Sequence, residues 1–127
     1  MNLEERRRFV RVPCTNILEY SVLGDRKQYA RENYGYAHCK NVSLGGVLFS
    51  TFIEIPPGIT LKIMLQMDCY DKHMESVLMH GEVVRCQKNG NFNTYDIAAR
   101  IFPIEDEIKS LNFFNWLAEK DEEYFLL

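Results

Sequence analysis

Turn signals recur at short intervals along this chain and separate short apolar runs, and that rhythm constrains the fold more than any other feature. Gly24-Asp25, Asn41 to Gly46, Pro56-Pro57-Gly58 and Asn89-Gly90-Asn91 punctuate stretches whose apolar and β-branched residues have strand spacing. The stretches are Val12 to Leu23, Tyr34 to Lys40, Val47 to Ile53, Ile59 to Met67, Ser76 to Gln87 and Thr94 to Phe102. In the fourth, Leu61, Ile63 and Leu65 alternate with Lys62, Met64 and Gln66, as in a strand with one buried face. Gly81 inside the fifth reads as a bulge or kink. Asn89-Gly90-Asn91 is a hairpin signal, so the last two strands pair antiparallel. Strand and helix do not alternate as a parallel sheet requires, and the expectation is a mainly β fold, a six-stranded antiparallel barrel over residues 12–102.

After Pro103 the pattern changes. Ile104, Ile108, Leu111 and Phe114 recur at helical spacing, and Glu105, Asp106 and Glu107 suit a helix N-terminus, which predicts a C-terminal α-helix over 104–119. Phe113, Trp116 and Leu117 fall off that stripe, so the helix carries apolar side chains on a second face, where a second copy of the chain can pair as a homodimer. Tyr124-Phe125-Leu126-Leu127 is apolar and is expected to pack on the barrel or the helix. Residues 1–11 are polar and dense in charge, with Glu4 and Glu5 ahead of Arg6, Arg7 and Arg8, and read as a flexible arm. The expected division is arm 1–11, barrel 12–102, and helix with tail 103–127.

Charge narrows the function. Fifteen Lys and Arg stand against 18 Asp and Glu, a net of -3, so a generic grip on nucleic acid is disfavoured and any anion site must be a local concentration of cations. Cys14, Cys39, Cys69 and Cys86 form no C-x-x-C pair, which fits a reduced, cytoplasmic setting without zinc. No apolar run approaches the ~20 residues that span a bilayer, and no signal sequence is recognised, so membrane insertion is not expected. His38-Cys39, His73 and His80 lack the spacing of a nucleophile or metal cluster, and Asp68, Asp71 and Glu75 lack the glycine and spacing of a cation loop. The expectation is a binding domain, not an enzyme, with no cofactor or metal.

Two clusters carry recognition chemistry. Arg6-Arg7-Arg8-Phe9-Val10-Arg11 contains an R-x-x-x-R spacing, Arg7 to Arg11, and Asn41-Val42-Ser43-Leu44-Gly45-Gly46 reads N-x-S-x-x-G. Alone, the first is a solvated charge run and the second a turn, since Asn and Ser bond nearby backbone and Gly accepts positive φ. In this order, with a strand between them and another after the glycines, they resemble the PilZ domain, whose signatures are R-x-x-x-R and (D/N)-x-S-x-x-G. His80 to Arg85 and Tyr95 to Phe102 are similar to that family's closing strands, with Ala98 and Ala99 where a glycine is common.

The resemblance implies a receptor for cyclic di-GMP that binds through Arg6, Arg7, Arg11, Asn41, Ser43, Gly45 and Gly46, moves its arm, and signals to an unidentified downstream protein. An arginine at position 6 further implies two ligand molecules per chain. The chemistry fits, because guanidinium groups fork onto phosphate, pair with guanine O6 and N7, and stack on purines. Asn41 and Ser43 can offer short hydrogen bonds to a guanine edge, and Gly45 and Gly46 leave room for a base to approach the backbone. Two other readings stand beside this one: a PilZ-like adaptor that contacts proteins without nucleotide, and an OB-like barrel that stacks single-stranded nucleic acid on Phe9, Tyr34, Tyr36 and Trp116.

Overall fold

A computed structural model describes residues 11–13, 17–23, 34–66 and 76–126. Seven strands are present among them: β1 (Val12–Pro13), β2 (Ile17–Val22), β3 (Tyr34–Ser43), β4 (Gly46–Thr51), β5 (Thr60–Leu65), β6 (Val77–Asn89) and β7 (Thr94–Pro103), followed by helix α1 (Ile108–Leu126). The order β3-β2-β5-β6-β7-β4 returns on itself because β3 also pairs with β4, giving a closed six-stranded antiparallel barrel. Short β1 pairs with the far end of β3, so β1 and β2 both pair with β3, each along its own stretch of that strand. All six expected strands are there, the first as β1 and β2, with Cys14, Thr15 and Asn16 outside the described residues.

Alternation builds the interior. In β5, Leu61, Ile63 and Leu65 are buried while Thr60 and Lys62 are exposed, and β2 does the same with Leu18, Tyr20 and Val22. Phe49 is fully buried, its ring 5.9 Å from that of Tyr20. The Tyr20 hydroxyl is buried but partnered, 3.1 Å from Thr51 Oγ1, a buried hydrogen bond in which one hydroxyl donates and the other accepts.

Two expectations need correction. Gly81 does not mark a bulge: it sits in regular register between Leu61 and Ile101, faces inward, and makes room for Ile63, whose Cδ1 would lie 2.7 Å from an added Cβ. The β6 bulge comes three residues later, where Val84 and Arg85 together oppose Ala98. A second bulge, unexpected from the sequence, lies in β3, where Lys40 and Asn41 oppose Leu48.

The helix differs as well. It begins at Ile108, and residues 105–106 form a turn, because the chain leaving β7 must reverse before it can wind. The Ile104 amide donates to Ser110 Oγ at 3.0 Å and the Glu107 amide to the Ile104 carbonyl at 3.0 Å, which fixes that reversal. The expected tail is helical through Leu126. The buried stripe is the other face: Ser110, Phe113, Leu117 and Asp121 turn inward, and Ile108 is 68% exposed. The helix rests on β6 and β7, so the residues that reach those strands set its rotation, and Phe113 and Leu117 do. Burying two such side chains is worth about 1.5 to 3 kcal/mol each.

Candidate functional site

Strand β3 carries the second motif, and its bulge decides where that motif points. Ala37 and Cys39 face inward, and strict alternation would turn Asn41 in after them. The extra residue, Lys40, shifts the parity, so Val42 takes the interior position while Asn41 and Ser43 lie on the outer face, partly exposed. Both therefore belong to the strand, and the turn is confined to Leu44 and Gly45 rather than running from Asn41 to Gly46.

Ser43 builds that turn. Its Oγ accepts from the Gly45 amide at 3.2 Å and donates to the Gly46 carbonyl at 3.5 Å. Gly46 opens β4, and a Cβ there would stand 2.5 Å from the carbonyl oxygen of Ala99, so its missing side chain is required by the close approach of β7. Packing inside the barrel wall thus accounts for this glycine, while positive φ among the described glycines occurs at Gly58, at 93°.

The first motif reaches this face through β1. Val12 pairs with Val42 and Pro13 with Asn41, and the same antiparallel count carries exposed Arg11 to the level of Ser43. Arg11, Asn41 and Ser43 are brought together; Arg6 and Arg7 lie outside the described residues. Around them, Lys40 meets Asp96 at 2.9 Å and Arg100 meets Glu82 at 3.2 Å, exposed pairs that tie β3 to β7 and β7 to β6. Leu48 and Ala98 form the surface of β4 and β7 beside Asn41. The assembled face offers cationic, hydrogen-bonding and small apolar groups side by side, as an anionic ligand with flat bases requires.

The histidine and cysteine candidates come apart. Exposed His38 and buried Cys39 point to opposite faces of β3, His80 faces outward on β6, and Asp68, Asp71, His73 and Glu75 lie outside the described residues. No three His, Cys, Asp or Glu side chains converge among the described residues.

The model of the PilZ domain matches residues 5–112. This chain belongs to the PilZ domain family. Three solved structures share the fold. The inhibitor of motility MotI (DgrA) of Bacillus subtilis aligns at 15% identity and TM-score 0.63, covering 95% of this chain and 52% of that one, so the chain spans about half of MotI. The PilZ domain of YcgR from Escherichia coli, solved with c-di-GMP, aligns at 14% identity and TM-score 0.54, covering 94% of each chain. The PilZ domain of CeSA from a cellulose-synthesizing bacterium aligns at 15% identity and TM-score 0.51, over 86% of this chain and 98% of that one. A search of the curated proteins gives no match. Among the described residues of this PilZ domain, no helix is long and apolar enough to cross a membrane.

Proposed function

We propose that this PilZ domain is a receptor that binds cyclic di-GMP without turning it over, on the outer face where β1 lies beside the end of β3. The observation that carries the reading is the β1 register, which sets the last arginine of R-x-x-x-R level with the serine of N-x-S-x-x-G although some thirty residues separate them in sequence. Family membership and the c-di-GMP in the YcgR domain support it. In this reading Arg11, with Arg6 and Arg7, engages phosphate and guanine, and Asn41 offers its carboxamide to a base edge. Ser43 and Gly46 hold the turn that presents them. Ligand draws residues 1–11 onto the barrel, and the changed arm is what a downstream protein detects.

Calorimetric titration of purified protein with cyclic di-GMP, cyclic di-AMP and GTP tests the proposal. Binding of cyclic di-GMP in preference to cyclic di-AMP is expected, because adenine lacks the O6 acceptor that arginine reads. Equal binding of the two dinucleotides, or no heat with either, would sink it.

A further inference from the structure

The two bulges stand at opposite ends of a single cross-strand row. Asn41 on β3 faces Leu48 on β4, Leu48 faces Ala98 on β7, and Ala98 faces Arg85 on β6. Each bulge falls immediately before the polar residue that ends the row, Lys40 before Asn41 and Val84 before Arg85. Each does the same work. Val83 is buried, and unbroken alternation would turn Arg85 into the core two residues later; the inserted Val84 puts it on the outer face instead, where it is exposed.

Arg85 also differs from its cationic neighbours. Lys40 and Arg100 are held by Asp96 and Glu82, whereas Arg85 makes no ion pair with a described residue. Between it and Asn41 lie only Leu48 and Ala98, a low apolar surface that a flat base can cover. Three strand steps separate the ends of the row, about 14 Å at the usual strand spacing. That is too far for one side chain to bridge and suits a ligand with two bases.

We propose that Arg85 is a further binding residue of this face, whose guanidinium forks onto the guanine edge of the ligand half farthest from Arg11. The inference rests on the cyclic di-GMP reading and extends the site from β3 across the barrel to β6. The fork matters, since two parallel donors match guanine O6 and N7 and an ammonium does not.

Titration of cyclic di-GMP into wild type, Arg85→Ala, Arg85→Lys and Arg100→Ala tests it, with ligand-free thermal melts alongside. Arg85→Ala should weaken binding about ten-fold or more, and Arg85→Lys nearly as much, with melting unchanged in both. Arg100→Ala, which removes an equal charge already held by Glu82, should weaken it less. Wild-type affinity in Arg85→Ala, full rescue by lysine, or an equal loss at Arg100 would each overturn the assignment while wild-type binding keeps the receptor reading intact. No binding by wild type overturns both.

Discussion

Replacing Gly46 by alanine should destabilise the barrel even with no ligand present. The added Cβ would lie 2.5 Å from the Ala99 carbonyl oxygen, 3.4 Å from the carbonyl carbon and 3.7 Å from Arg100 Cα. A carbon approaches a carbonyl oxygen no closer than about 3.3 Å in ordinary contacts, so most of an ångström must be found. All three atoms are backbone, and no rotamer change relieves them; β4 must lift from β7 where Val47 faces Ala99. Overpacking of this kind costs about 1 to 3 kcal/mol, and a ladder hydrogen bond lost with it about 1 more. At roughly 4 °C per kcal/mol for a domain of this size, the melting temperature should fall by about 8 to 16 °C. Gly81→Ala is the internal comparison, because its closest contact is the far end of the Ile63 side chain, which can rotate away. Gly90→Ala meets nothing within 4 Å and should be neutral. Thermal melts followed by circular dichroism rank the three. A Gly46→Ala protein that melts with the wild type, or a Gly81→Ala protein that is the weaker, would refute the steric argument.

Other outcomes are open to measurement. Arg7→Ala and Arg11→Ala should each weaken cyclic di-GMP about ten-fold or more in calorimetry while the fold survives, since Arg11 is exposed and the charged run around Arg7 has no apolar pattern; Arg8→Ala should matter less, and greater sensitivity at Arg8 would place the arm in another register. Ser43→Ala should weaken binding and also lower stability by about 1 kcal/mol, because its hydroxyl holds the turn; a loss of binding with unchanged melting would mean the hydroxyl serves the ligand alone. Titration should give two ligands per wild-type chain and one in Arg6→Leu, as four phosphate charges packed together need added positive charge nearby; a wild-type ratio of one refutes this. Phe113→Ala should cost about 3 to 5 kcal/mol in denaturant unfolding and Ile108→Ala very little; the reverse order would mean that α1 packs by its other stripe.

What the sequence makes legible is what depends on spacing. Strands β2 to β7 announce themselves through alternation and turn residues, and the two motifs lead to neighbouring strands, where the β1–β3 register carries Arg11 to the level of Ser43. Bulges are harder, because an inserted residue has no composition of its own. They do leave a trace in parity. Ala37 and Cys39 are followed by Val42 rather than an apolar residue at 41, and Val83 by Cys86 rather than one at 85. A polar residue on an apolar phase, with the phase resuming one position late, is the mark of both bulges. The helix face departs from its spacing for another reason. Two apolar stripes compete on α1, and the choice between them is made by β6 and β7, which no local pattern describes.

Strand order also governs how this chain comes to be folded. Hairpins β3–β4 and β6–β7 join neighbours in sequence and can zip from their turns, but β4 and β7 are far apart along the chain, and their pairing must wait for a long loop to close. The row from Asn41 to Arg85 is divided between those two hairpins, Asn41 and Leu48 on one, Ala98 and Arg85 on the other. Neither half presents the whole face. Any molecule held along the row therefore bridges the β4–β7 seam, the pairing of longest sequence separation, and favours the closed chain by mass action, so that occupancy of the face adds to the stability of the fold.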